Sequence, residues 1–366
     1  MPEAVTRSRK LTPRILAGGA AAAVVLVFGL AAAPWPPKLS TGITGDTALA
    51  DRVRPLLSAP ADQISVAYVN GDNVRYAGFG ADEHTEYEIG SVSKTFTASL
   101  LADAVARGEV TLETTVADIL GNDLRDPDAE IGTVTLAELA SHRSGLPRLA
   151  TGVGAWAGLL AGQALNRDPY TASAEEVLAQ AQTAGLNGRG SVAYSNLGYA
   201  FLGQLLAKAA GSTWEELLQD RILNPLELKN TYAPLTAENL PGAAPSGRSS
   251  GGMREGAWTM KGTAPAGGIR STAADLVRYA QAQLDGTAPG ADAVEPQWNH
   301  EDRRYGLAWI TEEHQGREIT WHNGQTGGFW SMVALDRESG NAVVMLSNVS
   351  AGQEDAAFEL LAGGPE

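Results

Sequence analysis

The sequence predicts an α/β protein of the α+β type: an antiparallel sheet of about five strands, flanked by helices, with an all-helical region inserted between its two parts. Two observations carry this expectation. Strand-like runs rich in β-branched and aromatic residues lie towards both chain ends, QISVAYV and NVRYAGFG on one side, YGLAWIT, EITWHN, FWSMVALD and NAVVMLSNV on the other. Between about Leu112 and Thr263 helical signals dominate instead. The sheet is therefore expected to close from two segments, about 46–111 and 265–366, around helices in about 112–264. The chain has no internal repeat.

Each element has its own reason. Residues 34–45 read as a Pro-rich tether, followed by a short helix ending near Leu57. Gly71-Asp72 between the first two runs marks a β-hairpin. After Ser91, the residues Phe96, Leu100, Leu101 and Val105 recur at helical spacing until Gly108 offers a C-terminal cap. Thr135 with Glu138, and Ser212 with Glu215, have the spacing of capping boxes. A helix is expected from about Ala273 to Leu284, a hairpin turn at Arg337-Glu338-Ser339-Gly340, and a closing helix around Ala356 to Leu361.

Composition narrows the function classes. Hydrophobic residues make up 44% of the chain and charged residues 19%, which is globular. The net charge of −15 argues against nucleic acid or an anionic membrane surface as partner. Residues 1–33 carry four basic side chains and one acidic one, so the remainder carries −18. The uncharged run from Ile15 to Ala33 approaches the roughly 20 residues of a membrane-spanning helix. Ala31-Ala32-Ala33 also satisfies a small-residue cleavage rule, so 1–33 reads either as an uncleaved anchor or as a cleaved signal. Both readings export residues 46–366, and a basic flank before the apolar run leaves that body outside. The chain has no cysteine, which excludes a thiol nucleophile, disulfides and a Cys-ligated metal. No metal or cofactor is expected, and the partner is a small-molecule or peptide substrate met by a monomer.

Three stretches carry candidate chemistry. In EIGSVSKTFTA, Glu88 to Ala98, Ser91 and Lys94 lie three apart at the start of a helix, so the amine can reach the hydroxyl within one turn. Attack on a carbonyl requires a base for the hydroxyl proton, and a lysine serves only if burial or positive charge lowers its pKa. The plain alternative is that Ser91 or Ser93 caps the helix while Lys94 faces solvent. In SVAYSNLGYAFLG, Ser191 to Gly203, Tyr194 and Asn196 head a second helix. The phenol can relay a proton and the amide can hold a substrate. A second Tyr-x-Asn, at Tyr68 to Asn70, lies on a strand and is assigned to structure. In WHNGQTGGF, Trp321 to Phe329, a strand ends in a glycine-rich stretch whose backbone N–H groups could bind an oxyanion. Taken alone, His322 there is as readily a structural histidine as a functional one. Gly247 to Gly251 matches G-x-S-x-G but lacks the strand-to-helix turn that such a nucleophile needs. Trp258 and Trp330 could wall a substrate pocket, but large aromatics in such sequences are more often core, and neither is counted as a site residue.

These stretches, with LASHRSGLP at Leu139 to Pro147, ILNPLELKNT at Ile222 to Thr231 and APAGGIRSTAADL at Ala264 to Leu276, resemble the serine β-lactamase and penicillin-binding protein superfamily. The likeness is to its class C β-lactamase and DD-carboxypeptidase-like branch and covers about Asp51 to Leu361. The resemblance implies a β-lactamase/transpeptidase-like fold, Ser91 as acylated nucleophile, Lys94 as its proton acceptor and Tyr194 as proton shuttle to the leaving group. It further implies that Asn196 holds a substrate amide. His322, Asn323 and Gly324 would match the strand motif that is usually Lys-Thr-Gly or Lys-Ser-Gly in β-lactamases. The backbone N–H groups of Ser91 and Gln325 would form the oxyanion hole, and His142 to Gly145 would be a structural helix end. Histidine in place of lysine weakens the expected grip on a substrate carboxylate, and Asn323 retains only an amide to donate. The implied enzyme is a D-amino-acid peptidase, with a β-lactamase or an esterase as alternatives. A non-catalytic binder of cell-wall fragments is the rival class.

Overall fold

The computed structural model describes residues 34–150, 162, 165–241 and 245–364. The segment 1–33, read above as an anchor or signal, lies outside them. Thirteen strands occur among the described residues: β1 (Ile43–Gly45), β2 (Ile64–Asn70), β3 (Asn73–Phe79), β4 (Glu86–Glu88), β5 (Arg248–Ser249), β6 (Arg270–Thr272), β7 (Trp298–His300), β8 (Arg303–Tyr305), β9 (Ile310–His314), β10 (Arg317–Gln325), β11 (Trp330–Asp336), β12 (Asn341–Ser347) and β13 (Val349–Ser350). Nine of them form one antiparallel sheet in the order β1-β3-β2-β12-β11-β10-β9-β8-β7. The N- and C-terminal parts meet where β2 pairs with β12, from Ile64 opposite Ser347 to Asn70 opposite Asn341.

The sheet's central strands are apolar on both faces because both are covered. Val66, Tyr68, Met332, Met345 and Val343 point into a core shared with α1 (Thr47–Val53) and α9 (Glu354–Ala362). The alternate residues Ala67, Val69, Val333, Val344 and Leu346 point into the larger core on the other face, the period-two alternation of a strand. That core contains α2 (Ser93–Ala106), α8 (Ala273–Leu284) and the helical region: α3 (Val116–Leu120), α4 (Leu136–Ala140), α5 (Ala174–Thr183), α6 (Asn196–Ala210) and α7 (Trp214–Leu218). Helix α6 is buried from Leu197 through Ala207. Among the described residues no helix is long and apolar enough to cross a membrane.

Four expectations need correction. The sheet has nine strands rather than about five, the additions being the short edge strands β1 and β7 together with β8 and β9 next to β7. YGLAWIT is not one strand: Tyr305 ends β8, Ile310 begins β9, and the residues between turn, with Ala308 at φ +69°. Leu307, Ala308 and Trp309 are buried in that turn, and an apolar run is the signal a buried turn shares with a strand. The capping box of α7 is Thr213 with Glu216, one residue later than expected. Ser212 donates its N–H to Ala207 O beside left-handed Gly211, so it finishes α6 instead of starting α7. Finally, β1 lies inside the segment read as a tether and carries the sheet three residues towards the N-terminus.

Candidate active site

The two-stranded sheet of β4 and β6 leads into a 3₁₀ turn, Gly90–Val92, and then into α2, which places Ser91 at a helix start in the middle of the molecule. Neither Ser91 nor Ser93 caps α2: its N-cap makes no side-chain hydrogen bond, and Ser93 Oγ accepts instead from Ile269 N–H at 3.0 Å. Lys94 is fully buried. Its Nζ lies 3.0 Å from Ser91 Oγ and donates to Ala266 O at 2.5 Å. Burial first, and the positive charge of Arg148 second, hold this amine well below the ordinary lysine range. A neutral lysine keeps a lone pair that can accept the Ser91 proton.

Tyr194 donates its phenolic proton to Ser91 Oγ at 2.6 Å. Burial pushes its pKa up to about 12, so the phenol stays protonated at neutral pH. The loop holding it is pinned by the segment after α4. Ala193 N–H donates to His142 O at 2.8 Å, Ser195 N–H to His142 Nδ1 at 3.1 Å, and Asn196 N–H to Arg148 O at 3.0 Å. The His142 ring lies 4.4 Å from the Tyr194 ring, and its backbone takes φ +59° to end α4 there. Ser195 caps α6 by accepting from Gly198 N–H at 2.8 Å. Asn196 Oδ1 is buried without a hydrogen-bond partner, a cost that a ligand N–H could relieve.

Strand β10 forms the opposite wall. Thr326 N–H donates to Phe329 O, and backbone N–H groups alternate in direction along a strand, so Gln325 N–H points away from β11. On that side β9 has already ended, opposite Trp321. A Cβ built on Gly324 would lie 2.0 Å from Ile89 O and 2.9 Å from Ser91 N, and one on Gly90 would lie 2.7 Å from Gln325 N. The two glycines thus let the backbones carrying Ser91 N–H and Gln325 N–H touch. The Ser91 amide is among the first of a helical segment, where no intrahelical acceptor exists.

The side chains of β10 depart from expectation. Alternation sends Trp321 and Asn323 to the α9 face, and the Asn323 amide donates to Glu354 Oε1 at 2.6 Å, an oxygen that also takes Trp330 Nε1–H. One N–H of the Asn323 amide is therefore spent on Glu354 rather than on a substrate. Gln325 likewise spends its side-chain amide on Ser350, leaving its backbone to the site. His322 is buried, and its Nδ1–H donates to Ala308 O at 2.7 Å. Burial, then Lys94, lower its pKa to about 3, so it is neutral at neutral pH.

A cavity of about 460 Å³ opens over Ser91, bounded by Tyr194 and Asn196 on one side and by Asn323, Gln325 and Thr326 on the other. Sequence reasoning missed Arg148, Leu149, Tyr170, Met260 and Thr326 in its lining, and favoured the core for Trp258, which lines it too. Arg148 follows LASHRSGLP directly, which is the one signal that could have marked it. Tyr170, Trp258 and Met260 stand on irregular segments that carry no periodicity. Trp330 is core.

A protein-family model described as Beta-lactamase matches residues 50–363. Penicillin-binding protein 4 of Amycolatopsis lactamdurans is 29% identical over 337 residues, covering 81% of this chain and 83% of that protein. A beta-lactamase of Escherichia coli strain K12 is 26% identical, covering 76% and 80%. Among solved structures, a D-stereospecific amidohydrolase from Streptomyces sp. superposes with a TM-score of 0.75 at 20% identity, covering 87% of this chain and 99% of that one.

Proposed function

This chain belongs to the beta-lactamase family of serine hydrolases, and from that premise we propose that it hydrolyses amide bonds of D-amino-acid peptides, as a DD-carboxypeptidase does, through an acyl-serine intermediate. The observation that carries the proposal is Ser91 Oγ lying between the buried Lys94 amine at 3.0 Å and the Tyr194 phenol at 2.6 Å, at a paired backbone approach. Ser91 Oγ attacks the carbonyl carbon while Lys94 takes its proton, and the carbonyl oxygen gains negative charge against the N–H groups of Ser91 and Gln325. Collapse breaks the C–N bond. The departing amine takes a proton from Tyr194, which recovers one from Lys94. Water then attacks the ester, gives its proton to the same base, and releases the acid with Ser91 restored. Asn196, with its buried oxygen unpaired, is placed to accept from a substrate amide. Likeness to the Amycolatopsis penicillin-binding protein supports an acylated serine, and likeness in fold to the Streptomyces D-stereospecific amidohydrolase is consistent with amide substrates of D configuration. The basic and apolar segment 1–33 supports action outside the membrane.

A second reading, ester hydrolysis, is favoured by the neutral His322 and by Asn323 turning to Glu354, which together remove the usual strand grip on a carboxylate. A fluorescent penicillin or an activated ester is expected to label the protein but not its Ser91→Ala variant; equal labelling of both would sink the nucleophile assignment. Rates on a D-Ala-D-Ala peptide, a p-nitrophenyl ester and a cephalosporin then separate the two readings.

A further inference from the structure

We infer that Arg148 is the residue that selects the substrate, by pairing with a carboxylate that the substrate carries. The inference rests on the acyl-serine reading above for the kind of molecule bound and adds where its charge is recognised. Arg148 is the charged side chain among the described residues lining the cavity over Ser91. Its guanidinium lies 5.2 Å from the centre of the Tyr194 ring, one tyrosine away from Ser91 Oγ. It is not a loose loop residue, because its carbonyl accepts from Asn196 N–H at 3.0 Å and Leu197 N–H at 3.3 Å, which fastens it to the head of α6. Among the described residues no carboxylate pairs with its side chain, although most of the other arginines hold one, as Arg189 holds Glu138 and Arg270 holds Glu88.

The other basic side chains at the site are spent. Lys94 is buried with its amine turned to Ser91 and Ala266. His322 is buried and bonded to Ala308. On a chain of net charge −15, an exposed guanidinium at the rim of the cavity, without a carboxylate partner, is a local reversal of sign that draws an anion to this spot. Its planar fork matches a carboxylate in two parallel hydrogen bonds, which a lysine cannot reproduce.

The carboxylate can sit on the acyl half of the substrate or on the leaving amino acid, and one experiment separates them. In the full-length Ser91→Ala protein, where bound peptide is not consumed, calorimetry compares three peptides of D-amino acids that differ only in a carboxylate on the acyl half, on the leaving half, or replaced at both by primary amides. One carboxylate peptide is expected to bind about tenfold tighter than the diamide, a margin that shrinks in high salt. Adding Arg148→Gln is expected to erase that margin, and adding Arg148→Lys to keep part of it. Equal affinity for all three peptides, or a margin that survives Arg148→Gln, overturns the inference. Labelling of the protein with a neutral activated ester is read separately, so failure of the acyl-serine reading is not confused with failure of this one.

Discussion

At Lys94, a spacing that would serve any helix start puts an amine where solvent does not reach, and burial rather than spacing makes it a base. The sign of its pH dependence follows. The amine is competent when deprotonated, so activity is present above its folded pKa and is lost as the pH falls through that value. Because burial holds the pKa well below 10.5, the acidic limb of acylation by an activated ester is expected well below the ordinary lysine range. A stopped-flow profile with its limb near 10 would contradict this. Lys94→Arg, always protonated, is expected to lose about 10²- to 10⁴-fold in kcat/KM, the usual size of a general-base contribution. The positions of Ser91, Lys94, Tyr194 and Asn196 were legible because each heads a helix whose periodicity shows in the chain. The charge of His322 was not, since it is set first by burial among residues from distant parts of the chain.

Among the elements, α6 does most to position the site, and Gly203 shows how. A Cβ there would fall 2.3 Å from Pro265 Cβ and 3.1 Å from Trp214 Cδ1. Pro265 adjoins Ala266, whose carbonyl holds Lys94 Nζ. In a free helix, Gly→Ala stabilises by about 0.5–1 kcal/mol. Here overpacking is expected to win, so that Gly203→Ala lowers stability by about 1–3 kcal/mol and slows acylation. Urea unfolding decides the sign: a stabilised variant would show that α6 and Pro265 do not meet as described. Helix α8 matched its expected bounds because its start is capped locally, Thr272 Oγ1 accepting from Asp275 N–H. The YGLAWIT segment failed as a strand because its turn is stabilised from elsewhere, Leu307 N–H reaching Ala293 O.

At the scale of the whole molecule, Arg270 ties the parts together. Its side chain is wholly buried, with Nε on Glu86 at 2.5 Å and Nη1 on Glu88 at 2.9 Å, while Glu88 Oε1 also accepts Trp258 N–H and Glu86 takes the Tyr232 hydroxyl. Strand β4 before Ser91, strand β6, and two loops of the helical region thus share one ion cluster. Arg270→Met leaves a buried carboxylate at Glu88 without its partner and is expected to cost about 3–5 kcal/mol, measured as a fall in the urea midpoint. A loss under about 1 kcal/mol would mean that the cluster is not what joins the segments. By itself the sequence determined the fold class, the helix bearing each of Ser91 and Tyr194, and a sheet shared by both chain ends, because these rest on local periodicity and capping. Only the tertiary structure decided that Lys94 is buried with its pKa held down, that Asn323 turns to Glu354, and that Arg148 stands unpaired over the cavity. Burial and hydrogen-bond partners come from residues far apart in the chain, and no local pattern records them.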